Sequence, residues 1–296
     1  LLRREKPQLV ICDVMRFWVS TPALLFGKIF GVKMVGFAAD IPQMYLHQYK
    51  GNISWIHSLQ RKFYSSITTH YDAYIELSSY MDEHINPKNR PMIVVEGLVD
   101  STSVVNHQDR QIERQTSSNN IILMYTGGLY EKYGVKMLID AVASRKDSKI
   151  ELWLLGKGEL EEYLSTLNNA NIKYFGYCPH DKVVTMQQQA DFLINPRFSN
   201  EDYTKYSFPS KIMEYLVSGT PVISTRLKGI PDVYFNYIIP IEEETVEGLS
   251  VVLDQILQMD TDELNTLGNK GRDFVLKNKN NSVQAKRIVD WLETLE

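Results

Sequence analysis

Residues 192–225, FLINPRFSNEDYTKYSFPSKIMEYLVSGTPVIST, decide how the chain is read. Phe192–Asn195 is a short apolar run, a strand candidate, and a polar loop follows it. A helix opens around Pro209-Ser210-Lys211 and stops at Gly219, and Val222–Thr225 is a second strand candidate. Proline near a helix start and glycine just past its end are the expected punctuation. Two buried strands joined through a helix pair in parallel, because only a crossover of that length can return the chain in the same direction.

The same alternation extends outward in both directions. Downstream and upstream within the second half, strands are predicted at Ile121–Thr126, Ile150–Leu155, Ile172–Tyr177 and Tyr237–Ile241, with helices at Gly134–Ser144, Glu159–Asn168, His180–Gln189 and Ser210–Val217. The first half offers strands at Gln8–Asp13, Val32–Ala39, Ala73–Ser78 and Met92–Glu96, and helices at Val19–Phe30, Ile53–Tyr71 and Ser79–Ile85. Between Asp100 and Asn120 the composition turns polar, the best linker candidate, and the tail from Thr245 has only helical patterns. The expected fold is α/β, with two Rossmann-like, doubly wound parallel-sheet domains. Residues 1–105 form a partial N-terminal domain and 120–280 the C-terminal one, with a final helix over 282–296 packing back on the first. In such sheets ligands sit beyond the carboxyl ends of the strands, so the loops after the strands carry the functional residues.

Composition narrows the classes. The 296 residues suggest about two domains. Lys and Arg total 32 against 36 Asp and Glu, a net charge of −4, which gives no basic excess for binding nucleic acid. Cys12 and Cys178 stand far apart without metal spacing, so no disulfide framework or zinc site is expected and a reducing, cytoplasmic compartment fits. The longest apolar stretch, Trp18–Ala39, is broken by Lys28, Lys33 and three glycines and reads as helix, turn and strand rather than a membrane span.

Four loops collect candidate chemistry. Thr126-Gly127-Gly128-Leu129-Tyr130 precedes a helix; adjacent glycines admit a bulky anion close to the backbone, or simply make a tight turn. Gly156-Lys157-Gly158 is a G-x-G without the third glycine of the dinucleotide fingerprint. Gly176-Tyr177-Cys178-Pro179 can offer backbone groups and an aromatic face to a nucleobase, or Tyr177 can be ordinary packing. The helix start at Ser210 holds free N–H groups, a positive dipole end and Lys211, with Arg197 arriving from the preceding strand end: a diphosphate site in outline. Glu214 shares the face of Ser210 and Lys211 and can accept hydrogen bonds from two vicinal hydroxyls, as on a ribose; a plain Lys211–Glu214 surface pair is the alternative.

In order, YTGGLYEKYGVKMLIDAV, LWLLGKGELEEYL, IKYFGYCPHDKV and FPSKIMEYLVSGTPVIST resemble the donor half of the retaining GT-B glycosyltransferases of glycosyl transferases group 1, those with an E-x7-E-type donor site. The resemblance covers Ile121 to about Ile241 and reaches back more weakly through VVEGLVD at Val94–Asp100. It implies transfer, with retention, from a nucleotide-diphosphate-sugar donor (UDP- or GDP-linked) to a glycan or lipid-linked acceptor in cell-surface polysaccharide or lipopolysaccharide biosynthesis. No cofactor and no metal are implied. The donor falls to the C-terminal domain and the acceptor to the N-terminal one; a lipid-linked acceptor would bring peripheral membrane contact at the inner face of the cell membrane. Carried over by position, Glu214 matches the ribose-binding second glutamate, and Lys211 with the amides of Ser210 the diphosphate-binding helix start. Gly127 and Gly128 match the loop over the phosphates, Gly156 and Gly158 the loop beside the nucleotide, and Tyr177 and Cys178 the nucleobase contact.

The departures are specific. Eight residues before Glu214, where the first glutamate of the pattern falls, stands Tyr206, with Glu201 and Asp202 in the same loop as substitutes. Gly128 and Tyr133 occupy places usually basic in the family, and Lys132 and Arg197 are the cations at hand. After the second strand, where many relatives carry a histidine, stand Ala39 and Asp40; Asp40 is a candidate for hydroxyl binding or proton transfer, or caps the next turn. Asp13 is a similar candidate. The first half also shows few strands for this family, which suggests a missing N-terminal part. The alternatives are a nucleotide-sugar 2-epimerase on the same architecture, whose carboxylate and histidine cluster the loops do not show, and a non-catalytic nucleotide-sugar-binding fragment. Asp260-Thr261-Asp262 reads as a capping box with Glu263 rather than a metal motif, and the six histidines as surface or helix-end residues.

Overall fold

The computed structural model describes residues 2–5, 7–42, 54–100, 120–147 and 149–295. The expected linker between Asp100 and Asn120 therefore lies almost wholly outside the described residues, as do His47 and His107. The chain divides into two units. One comprises Leu1–Gly97, Asp202–Phe208 and Gln284–Glu296, the other Leu98–Glu201 and Pro209–Val283.

The first unit is built on a parallel sheet of β1 (Leu9–Asp13), β2 (Lys33–Ala38), β3 (Ala73–Glu76) and β4 (Met92–Val94), adjacent in sequence order. Alternate residues face opposite sides. Met34 and Tyr74 enter one buried cluster with Leu24 of the helix Phe17–Ile29. Their neighbours Val35 and Ile75 enter another, where Ile288, Trp291, Leu292 and Leu295 pack on the sheet. The first three of these lie on the chain's last helix, Asn281–Glu293, so a segment more than two hundred positions from Val35 and Ile75 supplies one face of this core.

The second unit holds β5 (Ile121–Thr126), β6 (Ile150–Leu155), β7 (Ile172–Gly176), β8 (Phe192–Asn195), β9 (Val222–Thr225) and β10 (Ile238–Ile241), all parallel, in the order β10-β9-β8-β5-β6-β7. Every residue of β5, β8 and β9 is buried, as strands covered by helices on both faces require. The order reverses between β5 and β8. At such a reversal the connections leave the sheet in opposite directions and open a crevice at the carboxyl ends, here those of Thr126 and Asn195.

The α/β class with two parallel sheets is as the sequence predicts, and so are the ten strands, trimmed by one or two residues at some ends. Ser79–Ile85 is not one helix but a 3₁₀ turn, Ser79–Met81, running into Asp82–Ile85. Its start is set by Ser78, whose hydroxyl accepts from the Tyr80 amide. Asp260 accepts from the Glu263 amide at 2.8 Å while Glu263 reaches back to the Asp260 amide at 3.1 Å, the capping box read from the sequence.

One core residue breaks the apolar rule. Glu76, at the carboxyl end of β3, is fully buried, with the Asp82 carboxyl as the neighbour that can accept its proton in a hydrogen bond. Burial, with Asp82 adding repulsion, pushes its pKa from 4.5 up to about 9. The folded chain thus keeps a proton that the unfolded chain releases above pH 4.5. Stability from this group is complete below pH 4.5 and is lost as the pH rises toward 9. Glu76→Gln, a neutral mimic, should match the parent in urea unfolding near pH 5 and exceed it increasingly toward pH 8. The steepest slope difference is about 1.4 kcal/mol per pH unit; parallel pH profiles would show that Glu76 is ionised in the folded chain.

Candidate functional site

Two glycine-bearing loops at the carboxyl ends of β5 and β6 lie against each other, main chain on main chain. The Gly127 amide donates to Leu155 O and the Leu129 amide to Lys157 O, both at 2.9 Å. A Cβ on Gly156 would stand 1.8 Å from Gly127 O, and one on Gly158 2.3 Å from Leu129 O. Both glycines are therefore demanded by loop–loop contact, and Gly156 also by its φ of +134°. Gly134, which the sequence marked only as a helix start, answers a third close approach: its Cβ would meet Pro196 O at 1.8 Å. That contact brings the loop after β8 against the loop after β5.

The helix Ser210–Ser218 points its amino end at this place. Pro209 is its N-cap residue, and no side chain caps it. Within its first turn the Ile212 amide donates to Pro209 O at 2.9 Å; the Ser210 and Lys211 amides are left for another acceptor, and the dipole favours an anion there. Tyr215, one turn in, sets the position. Its buried hydroxyl accepts from the Thr126 amide at 3.0 Å and contacts Thr126 Oγ1 at the same distance. Burial raises its phenol far above the ordinary range, so it stays a neutral hydroxyl. Lys211 is consequently laid along Gly127, with Cε 3.4 Å from where a Cβ would be.

The resulting cavity, about 440 Å³, is lined by Gly127, Gly128, Gly156, Tyr177, Cys178, Lys211 and Glu214 among the expected residues. Tyr130, Lys157 and His180 line it too and were not singled out in the sequence. Tyr177 is 74% exposed, which ordinary core packing does not explain. Ser210 lies instead on an adjoining cavity of about 470 Å³, which shares Glu214 and His180 with the first. Glu214 Oε2 stands 3.6 Å from Lys211 Nζ, and Oε1 accepts from the side chain of Gln187. The ion pair considered from spacing alone is present, but long, and one oxygen is held by a third residue.

The remaining candidates lie elsewhere. Arg197 sits over the Tyr133 ring, its Cζ 4.8 Å from the centroid, and Lys132 Nζ is 5.3 Å from the same ring. Neither lines the cavity; both cations are held beside it on one aromatic surface. Gly158 serves the loop contact, and Glu201 ends the second unit's stretch of the loop after β8. Asp40 belongs to the first unit, where its Oδ1 accepts from the Ile41 amide at 2.8 Å, the turn-capping contact. Partial burial raises its carboxyl above the usual range against that hydrogen bond. Asp13 likewise accepts from the Met15 amide.

Tyr206 also belongs to the first unit, in whose core it is buried. Its hydroxyl donates to Glu83, His84 Nε2 is 2.8 Å from it, and Lys205 pairs with Glu83 at 3.2 Å. The Tyr206 hydroxyl, with Lys205, holds the Glu83 carboxyl below its usual range. His84, in the last turn of its helix as a surface or helix-end reading allows, is also part of a side-chain network, because the segment 202–208 folds onto it.

A sequence model of the family described as Glycosyl transferases group 1 matches residues 107–274, more than half of the chain. The protein WcaL of Escherichia coli (strain K12), named for colanic acid biosynthesis, is 28% identical over 178 residues, 56% of this chain and 43% of its own length. The amylovoran biosynthesis glycosyltransferase AmsK of Erwinia amylovora is 28% identical over 112 residues, 35% of this chain and 27% of its own. The chain spans less than half the length of these curated relatives. Among solved structures, Alr3699/HepE of Anabaena in complex with UDP superposes with a TM-score of 0.71 at 14% identity, over 99% of this chain and 80% of that one. The lipopolysaccharide outer core galactosyltransferase WaaB gives 0.66 at 18% identity, over 100% and 77%. At such identities the structures speak for the fold alone.

The loop geometry is testable without any ligand. Gly156→Ala forces a Cβ into Gly127 O at an unfavourable φ and should cost at least about 2 kcal/mol in denaturant unfolding. Tyr215→Phe strands the buried Thr126 amide and should cost about 1–3 kcal/mol. A Gly156→Ala protein as stable as the parent would mean that the two loops are not in contact.

Proposed function

This chain belongs to the glycosyl transferases group 1 family, and we propose from that premise that its second unit binds a nucleotide-diphosphate sugar, UDP- or GDP-linked. The reaction proposed is transfer of the sugar, with retention, to a glycan or lipid-linked acceptor in cell-surface polysaccharide or lipopolysaccharide assembly. One observation carries the reading: the amino end of Ser210–Ser218 has no side-chain cap, and it presents Lys211 beside Gly127 on the cavity that Glu214 also lines.

In this reading the diphosphate lies against the glycine loop. The helix amides and Lys211 offset its charge, and Lys157 faces the same cavity. Glu214 accepts from the two ribose hydroxyls, and the exposed ring of Tyr177 with the Cys178 stretch receives the base. As the bond to the sugar breaks, negative charge builds on the diphosphate. Fixed dipoles and a fixed ammonium meet that charge without reorganising, which is where such groups lower a barrier. The released phosphate oxygen is then placed to take the acceptor's proton on the face the diphosphate leaves, which preserves the anomeric configuration.

Known proteins support the donor class and the setting. HepE was solved with UDP, with UDP and glucose, and with UDP-glucose. WcaL is named for colanic acid biosynthesis and AmsK for amylovoran biosynthesis. No helix among the described residues is long and apolar enough to cross a membrane.

The test is a thermal-shift panel of UDP-, GDP- and ADP-sugars with their free nucleotide diphosphates. A ligand at about a hundred times its Kd stabilises by about 2.7 kcal/mol. Lys211→Ala should weaken nucleotide sugars and free diphosphates alike, by about tenfold or more, and Glu214→Ala should weaken every ligand with an intact ribose. Unchanged binding in both variants would put the donor elsewhere.

A further inference from the structure

The carboxylate of Glu214 is held by more than its own helix. The helix His180–Gln189 lies beside Ser210–Ser218, and Gln187, near its end, is only 1% exposed. Its backbone carbonyl accepts from Thr220 Oγ1 at 2.8 Å, just past the neighbouring helix, while its side-chain amide donates to Glu214 Oε1. A carboxylate has no hydrogen to give, so the amide must turn its NH₂ toward it. Gln187 lines the adjoining 470 Å³ cavity and not the 440 Å³ one, so it reaches Glu214 from the far side.

The second oxygen of Glu214 faces Lys211 Nζ at 3.6 Å, beyond hydrogen-bond length. Three residues apart on a helix, a free Glu and Lys would close that gap. Closure would draw the carboxylate off the cavity and neutralise the ammonium beside the glycine loop. The Gln187 amide opposes further closure by tying Oε1, which fixes the carboxylate's rotamer and leaves the ion pair at its long distance.

We infer that Gln187 is a positioning residue for nucleotide binding: it orients the Glu214 carboxylate toward the ribose hydroxyls and keeps Lys211 available to the diphosphate. This rests on the ribose role proposed for Glu214. Gln187 touches no ligand itself, and its effect is felt mainly where a ribose is present.

The test compares UDP and GDP with inorganic pyrophosphate, which lacks the ribose, on the full chain by calorimetry. Gln187→Leu keeps the bulk and removes the donor. Nucleotide affinity should fall about tenfold, the scale of one hydrogen bond to a charged group, and pyrophosphate affinity by less, so that the ratio of the two changes. A merely structural role would lower the melting temperature and leave the ratio as it was, which overturns the inference. Gln187→Glu gives a second reading should the leucine variant unfold. It puts two carboxylates together, so nucleotide affinity should be weak at pH 8 and recover toward pH 6 as one shared proton restores the donor; a pH dependence equal to the parent's overturns the inference. Glu214→Ala separates the two claims. If it weakens the nucleotides and Gln187→Leu does not, the positioning role fails and the ribose role stands. If neither variant weakens them, or neither nucleotide binds the parent, both fail.

Discussion

The buried hydroxyl of Tyr215, bonded to the Thr126 amide, holds the amino end of one helix over the carboxyl end of the central strand. The arrangement of the candidate site descends from it. Lys211 is four residues before Tyr215 and therefore one turn nearer the glycine loop; Glu214 precedes it by one and faces sideways to the cavity. A phenol does this better than a charged group would. Its desolvation cost is met by local contacts with the Thr126 amide, hydroxyl and carbonyl, and burial raises its pKa, which favours the uncharged form. Helix and strand are joined without placing a fixed charge under a site proposed to bind an anion.

Around that bond the loops are specified by absence. Gly156, Gly158 and Gly134 are each met by a carbonyl oxygen at a distance no side chain tolerates. Three loops from three strands converge because three Cβ atoms are missing. The glycines do not all face a ligand: Gly127, Gly128 and Gly156 line the cavity, and Gly158 and Gly134 support its walls. The cations divide in the same way. Lys211 and Lys157 face the cavity, whereas Arg197 and Lys132 share the ring of Tyr133 beside it. A cation held on an aromatic face keeps its charge while losing mobility, so the pair contributes field rather than contact.

The first unit carries its own irregularities. Tyr206 stands where the resemblance expects a glutamate, and its hydroxyl is engaged by Glu83 and His84 in that unit's core. Glu76 is kept protonated by burial a few residues away in sequence. Each places a titratable group where a generic core would place leucine, and neither shows in hydropathy, since a lone Glu or Tyr in a mixed segment reads as surface.

The strands, their parallel pairing and the loops at their carboxyl ends were legible in the chain by itself. Short apolar runs separated by helix-length segments permit few other folds, and β5, β6 and β8 begin and end where their runs do. Local punctuation was legible too, as in the capping box at Asp260, because its partners are three residues apart. The glycine pair at 127–128, Lys211 and Glu214 could be named from spacing on one loop and one helix turn. What remained closed depends on contacts between distant segments. Gln187 behind Glu214, Gly134 under Pro196 and Arg197 on Tyr133 join residues that no periodicity relates. Local sequence encodes backbone preference and one-sided polarity, which determine elements. Only folding brings a particular amide to a particular carboxylate, and only the tertiary structure could decide which candidates share a cavity.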